Sequence, residues 1–493
     1  MMRIGGLASG MDIDSLVNKL MSAERIPLDK MEQERTTLEW KRDAFREINK
    51  KLTELDNLMY DMKMSYTYNS KSVSSSIDDA VTATATPSTS NGTYQVKVSQ
   101  LASSAINVSS GELAIDPTEE LDASYHGTKV EFSTFDENGD EQKYSYTIKE
   151  GDTLNDVLKR VSNDDNNVRM FYDNQSNKVI METTRTGDYN QGTAPDGAEI
   201  QFANGSFLQS VLKMDVANEK GGENAKFEYN NSGLVMESKT NSYSLNGIDF
   251  EFKNTTDGKN AKLTVTNDVE ASYEAIMKFV DKYNEVVEAL NSSQQEEKFR
   301  DYQPLTDEQK KEMSDKEIEL WEERAKSGLL RGESTISGGL FNLRQSWYSK
   351  VETGGEYTSL TQIGIETSKN YLDGGKLVVD PKELRKALQD NPADVKKLFT
   401  NNDEGASRGL VNRLEDALSS TMSKIGEKAG GGTDTLENYT LGKRMKDLDK
   451  RISAFEDRLV KVETRYWNQF TAMEKAISRM NQQSAQLMSQ FGA

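Results

Sequence analysis

LGKRMKDLDKRISAFEDRLVKVETRYWNQFTAMEKAISRMNQQSAQLMSQF, residues Leu441–Phe491, is the stretch on which the fold turns. Its apolar residues Leu441, Met445, Leu448, Ile452, Phe455, Leu459, Val462 and Tyr466 alternate steps of four and three, with charged residues between them. That spacing is the seam of a helix lying against another helix. After Tyr466 the stripe slips by one residue, to Phe470, Met473, Ile477, Met480, Leu487 and Phe491. The slip makes a local eleven-residue repeat from Val462 to Met473, which unwinds a left-handed supercoil toward a straight helix. A helix of about 50 residues spans about 75 Å at 1.5 Å per residue, so it needs a partner.

A matching stripe stands near the other end: Leu28, Met31, Leu38, Phe45, Ile48, Leu52, Leu55, Met59 and Met62. A shorter one precedes it, at Ile13, Leu16, Val17, Leu20 and Met21, with Asp12 placed to cap it. Pro27 lacks an amide donor and restricts Ile26, which predicts a break there and a restart at Pro27. The two termini read as helices that pack together with everything between them looped out. The alternative is that both stripes are faces of an ordinary bundle.

The middle of the chain has a different grammar. From about Tyr66 the period turns to two, as at Val81, Ala83 and Ala85 and at Tyr94, Val96 and Val98. Val130–Phe132 and Tyr144–Ile148 flank Asn138-Gly139, a hairpin signal. Gly151–Leu158 predicts a short capped helix, and Lys178–Glu182, Phe227–Tyr229, Ile248–Phe252 and Leu263–Thr266 predict strands. Two small β-domains, one nested in the other, account for these runs. Helical spacing resumes at Ala271, with a charged, apolar-poor stretch through Lys326 and a hairpin across Gly374-Gly375. Gly430-Gly431-Gly432 predicts a flexible break before the last helix. The fold class expected is α+β and multidomain. Long terminal coiled-coil helices and a helical bundle frame two nested β-rich domains.

Composition narrows the functions. The chain has 493 residues, enough for three or four domains. Its 61 basic and 81 acidic residues leave a net charge of −20, a poor surface for nucleic acid or anionic membranes. No run of 18 apolar residues occurs, so no membrane insertion is expected. The first 25 residues lack a basic stretch followed by an apolar one, so no Sec-type signal peptide is expected. Cysteine is absent, which suits a chain that crosses an export machine unfolded or one that works outside the cell with no disulfide catalysis, and chance gives the same count. Apolar residues make up 35% and mean hydropathy is −0.74, so small cores and an elongated shape are expected.

Catalytic chemistry is not in sight. The single histidine, His126, has no cysteine or second histidine to share a zinc ion. No G-x-S-x-G elbow or phosphate-cradling glycine loop occurs. Asp136–Glu141 lacks the full calcium-loop spacing and reads as a turn. No cofactor, metal or enzymatic activity is expected.

IGGLASGMDID (Ile4–Asp14) followed by AERIPL (Ala23–Leu28) resembles the N-terminal signature of the bacterial flagellar filament cap family, the hook-associated protein 2 family. FVDKYN (Phe279–Asn284) and LTQIGI (Leu360–Ile365) are similar to that family too, with Gly375-Lys376-Leu377, Asn391-Pro392 and Leu398-Phe399 downstream. Residues 121–222 share only its β-rich style. The resemblance implies terminal leg helices at 1–30 and 455–493 and a helical bundle at 31–68 and 270–454. It implies an inner β-rich head domain at 69–120 and 223–269 and an outer, variable one at 121–222. Several copies would form a ring-shaped plate on the filament tip, promoting flagellin folding and polymerisation and preventing loss of monomers. The implied partners are flagellin, other copies of the chain, hook–filament junction proteins, and an export chaperone on the C-terminal helix. The route out of the cell would be the flagellar type III system.

In that setting the apolar stripes at the two ends are expected to touch flagellin or neighbouring copies. The residues are Ile13, Leu16, Val17, Leu20, Met473, Ile477, Met480, Leu487 and Phe491. Packing within one chain explains the same residues equally well, because a seam does not name its partner. Three other readings compete: an adhesin acting through the outer β-domain, a paired-carboxylate glycan hydrolase, and a flagellin or hook-junction protein.

Overall fold

The Asp12 carboxylate accepts a hydrogen bond from the Ser15 amide at 3.0 Å and starts the first helix, α1 (Ile13–Lys63). This is a computed structural model, and it describes residues 10–190, 192 and 197–491. The break expected at Pro27 does not occur, and α1 runs through it. A proline inside a helix removes one hydrogen bond and crowds the preceding turn, at about 3 kcal/mol. Apolar burial on both sides, at Val17 and at Leu28 and Leu38, holds the helix in register across it.

Five strands or strand pairs come next: β1 (Lys71–Ser75), β2 (Val81–Ala85), β3 (Gly92–Gln100), β4 (Ser104–Val108), and the hairpin β5 (Lys129–Phe135) and β6 (Glu141–Thr147). After α2 (Leu154–Ser162) come β7 (Val168–Asp173), β8 (Lys178–Thr186) and α3 (Phe207–Ser210). The β-rich part closes with β9 (Ala225–Tyr229), β10 (Val235–Ser238), β11 (Ser242–Leu245), β12 (Ile248–Phe252) and β13 (Ala261–Asn267). Helices return as α4 (Val269–Gln295), α5 (Asp307–Lys311), α6 (Asp315–Lys326) and α7 (Ser334–Tyr348). The hairpin β14 (Ile365–Thr367) and β15 (Leu377–Val379) precedes α8 (Pro381–Asp390) and α9 (Pro392–Thr400). The last helices are α10 (Leu410–Ala429) and α11 (Thr440–Phe491). This is the α+β organisation expected, with the β-rich section between two helical halves.

The chain divides into two compact units, Met1–Tyr68 with Glu270–Ala493, and Asn69–Val269. In the helical unit, α1 buries Phe45, Ile48, Leu52, Leu55, Met59 and Met62, the residues its three-and-four spacing put on one face. Glu333, which caps α7, takes Lys41 of α1 and Lys428 of α10 together. Of the glycine run before α11, Gly430 stands in a packed corner, while Gly431 and Gly432 are exposed. Gly430 has φ +67°, and a Cβ there would run into the ring of the buried Tyr439. The Arg46 guanidinium lies 5.5 Å from the centre of that ring, and its Nε donates to the Ala429 carbonyl at 3.1 Å.

The β-rich unit has two cores. A sheet ordered β1-β13-β3-β9-β10 and another ordered β11-β12-β2 enclose Val81, Val96, Val98, Phe227, Phe250 and Leu263. The sheet β4-β8-β7, the β5-β6 ribbon and α2 enclose Phe132, Leu154, Val157, Val161, Met170 and Met181. The Asn138-Gly139 hairpin forms as its sequence predicts, with Gly139 at φ +87°. The Asp136 carboxylate takes the amides of Asn138 and Asp140, so it serves the turn. Where the second core leaves the first and rejoins it, the Ser103 amide donates to the Glu223 carbonyl at 3.0 Å.

Candidate assembly surface

α1 and α11 run antiparallel in the helical unit. The Tyr466 hydroxyl donates to Glu24 at 2.9 Å, Arg35 Nε donates to Asp449 at 2.8 Å, and Arg444 reaches Glu34 at 3.4 Å. Carried along from the Glu24–Tyr466 contact, this register sets Val17 level with Met473 and Ile13 level with Ile477. Ile13 and Val17 are 2% and 1% exposed, and Met473 and Ile477 are half-buried. Ile13 and Val17 are therefore covered within one chain, and Met473 and Ile477 partly so. A partner reaches Ile13 or Val17 only if the seam opens.

The other candidates stand outside the seam. Leu16 is 38% exposed and Leu20 lies beside it on the same face, one turn on. Met480 and Leu487 are 62% and 53% exposed. The Phe491 side chain lies outside the described residues. Burial of the apolar residues along α11 thus fades toward its C-terminal end: Leu441, Met445 and Leu448 are covered, Phe470, Met473 and Ile477 partly, and Met480, Leu487 and Met488 are exposed. Three residues missed by the seam reading add to the exposed apolar surface: Ile26, Val460 and Met488, the last 74% exposed. They occupy positions beside the heptad seam, so a search for a single stripe passes over them. Two of these residues, Met480 and Met488, are methionines, whose unbranched thioethers repack against varied surfaces.

The seam is also loosely filled. A groove of about 460 Å³ runs between α1 and α11 with one side from α5, lined by Asn18, Met21, Arg25, Leu28, Glu308, Glu456, Leu459, Val460 and Glu463. Burial pushes the carboxyls of Asp29 and Glu32 up from their ordinary range, and Arg25 pulls both partly back.

Among the described residues no group of three or more His, Asp or Glu could hold a metal ion. His126 Nε2 sits 3.9 Å from Glu120, whose carboxylate already takes the Gly151 amide. No described helix is long and apolar enough to cross a membrane.

Comparison with known proteins decides the family. The sequence model of the Flagellar hook-associated protein 2 N-terminus matches residues 9–105, and that of its C-terminus matches residues 222–482. Flagellar hook-associated protein 2 of Halalkalibacterium halodurans is 37% identical over 99% of this chain and 100% of its own. The chain belongs to the flagellar hook-associated protein 2 family. The A-type flagellar hook-associated protein 2 of Pseudomonas aeruginosa is 26% identical, over 98% of this chain and 96% of that one. A crystal structure of the D1-D2-D3 domains of the Escherichia coli flagellar cap protein FliD superimposes with a TM-score of 0.56. At 18% identity, covering 82% of this chain and 99% of the other, it shares the fold. The hook-associated protein 2 family is structural, not enzymatic. The stretch between the two matched segments holds the second β-core.

Proposed function

We propose that this chain caps the distal tip of a bacterial flagellar filament, where it promotes flagellin folding and polymerisation and keeps monomers from escaping. Membership of the hook-associated protein 2 family supports the flagellar setting, and the relative of shared fold from Escherichia coli is a flagellar cap protein. The observation that carries the mechanism is the exposed apolar surface at the ends of α1 and α11: Leu16, Leu20, Met480, Leu487 and Met488. Exposed apolar surface of this kind marks a place where a partner binds. Flagellin and neighbouring copies in a ring are the proposed partners, and the leg, bundle, inner-head and outer-head division is proposed with them. Hook–filament junction proteins, a chaperone on α11 and export by the flagellar type III route complete the proposal. The test is flagellin partitioning in a strain lacking the gene. Flagellin lost to the medium as monomer from bare hooks is the expected result. Filaments of normal length would remove the cap reading.

An adhesive role for the outer β-core has one observation of its own. An open groove of about 430 Å³ on the β5-β6 ribbon is lined by Phe132, Tyr144 and Phe202 with Glu131, Glu141, Lys143 and Gln201. Aromatic faces beside polar hydrogen-bonding groups suit a sugar. Binding of the full chain to a glycan panel, lost in Tyr144→Ala, tests it.

A further inference from the structure

In the helical unit, the C-terminal end of α7 and the first turns of α10 border an open pocket of about 470 Å³. Arg413 of α10 stands in it, with Asn342 and Gln345 of α7 and with Ser349 and Lys350 just beyond that helix. The two walls are fixed against each other. A Cβ at Gly339 of α7 would sit 2.5 Å from the Thr421 methyl of α10. None of the side chains lining this pocket is acidic, in a chain that carries 81 acidic residues against 61 basic ones.

Arg413 is half-buried, and its charge meets no opposite charge. Its Nη1 donates to the Ser349 carbonyl at 3.2 Å, and its Nη2 donates to the Lys350 and Ala406 carbonyls at 3.1 and 2.8 Å. These bonds tie the end of α7 and the turn before α10 together, yet a carbonyl carries only a partial charge. Arg408 close by is neutralised by Asp416 through bonds of 3.0 and 2.9 Å. No described carboxylate does the same for Arg413. Burial, and then the Arg408 charge, push the Arg413 guanidinium below its ordinary value, with no acidic group opposing them. A guanidinium has five N–H donors. Three serve the carbonyls, which leaves one on Nε and one on Nη1. Partial burial of an uncompensated cation costs free energy that an incoming anion recovers.

We propose that this pocket binds the carboxylate of an aspartate or glutamate presented by a protein partner. Charge complementarity carries the assignment. The spare guanidinium donors, the Lys350 ammonium and the Asn342 and Gln345 amides border one space and supply only attraction to an anion. A phosphate fits less well. Phosphate sites are cradled by backbone amides, whereas the backbone groups at Arg413 are carbonyls, which repel a second negative charge. Phe341 favours a protein segment over a free small acid. It lies one turn before Gln345 on the same face of α7 and is 65% exposed. A residue beside the acid can cover that ring, so the partner segment pairs a carboxylate with an apolar side chain.

Magnetic resonance on the full chain, isotope-labelled at its arginines, tests this through the Arg413 Nε–H signal, identified by its loss in Arg413→Lys. The probe is the blocked dipeptide N-acetyl-Leu-Glu-amide, with N-acetyl-Leu-Gln-amide as its uncharged match and inorganic phosphate as the rival anion, all at constant ionic strength. The acidic dipeptide is expected to move the signal saturably, and the neutral one to bind about tenfold more weakly or not at all. Gln345→Glu sets a carboxylate of the chain's own at an exposed position of the pocket and is expected to weaken the acidic dipeptide about tenfold. Lys350→Glu, also exposed, should act the same way and serves if the first variant does not fold. Equal responses to the two dipeptides, affinity unchanged in the glutamate variants, or tighter binding of phosphate than of the acidic dipeptide would each overturn the proposal.

Discussion

Two carboxylates show how single residues hold this molecule. Glu333 is 14% exposed at its side chain and serves Lys41 and Lys428 at once, which fastens α1 to α7 and α10. Removing one partner of such a cluster leaves the others desolvated and unpaired. Glu333→Ala is expected to lower the stability of the helical unit by about 1–3 kcal/mol, read by denaturant unfolding followed at the tryptophans. Asp152, 11% exposed at its side chain, accepts from Arg160 at 2.6 Å and from the Lys149 amide at 2.7 Å. The Arg160 hydrogen bond is the main reason its carboxyl stays below the usual range. A depressed folded pKa contributes stability that is present above the unfolded value and lost as pH falls through the folded one. The wild type should therefore keep this contribution at neutral pH and lose it below about pH 4. Asp152→Asn should cost about 1–3 kcal/mol at neutral pH and little in acid, as followed by circular dichroism melts at both pH values.

At the scale of elements, α11 is the informative one. Its spacing announced a seam from Leu441 to Phe491, and the helix spans Thr440–Phe491. What spacing could not announce is the gradient of burial along it. Leu487→Glu changes an exposed residue, so the monomer's melting temperature should stay put, with a stability change within about 0.5 kcal/mol. On the proposed function, filament capping should nonetheless be lost. Val17→Glu places a charge at a site 1% exposed and should destabilise the helical unit by several kcal/mol, roughly 3–5. Normal flagellin retention by the Leu487→Glu variant would remove the exposed end of α11 from the assembly surface. Pro27 and Gly430 mark the limit of local reading. Each is a breaker by its own chemistry, yet one lies inside a continuous helix and the other in a packed corner. Long-range burial outweighed a local preference of about 3 kcal/mol at the first. The aromatic ring of Tyr439, nine residues on, shaped the second.

For the whole molecule, the nested arrangement makes a further expectation. The second core departs and returns through strands already joined by the Ser103–Glu223 backbone hydrogen bond, and the first core draws its buried residues from outside that span. Replacing residues 104–222 with a short glycine-serine linker closes a small gap, so the entropic cost is slight. The shortened chain should keep the first β-core and the helical unit, with native-like protection of the β3 and β13 amides in hydrogen exchange. On the proposed function it should still retain flagellin, while any glycan binding disappears.

The sequence alone determined the class of the molecule. Alternating periods of 3.5 and 2 separate helical ends from a β-rich middle, and short motifs such as Ala23–Leu28 and Leu360–Ile365 carried the family resemblance. Only the tertiary structure separated Ile13 from Leu16, neighbours in one stripe of which the first is buried and the second exposed. Only it placed the Glu199 amide against the Glu219 carboxylate, twenty residues on in a stretch without clear patterning. Periodicity reports which face of an element is apolar, because it arises from local backbone geometry. Which part of that face is covered, and which carboxylates share a site, depends on contacts between residues far apart in the chain, and those are set by folding as a whole.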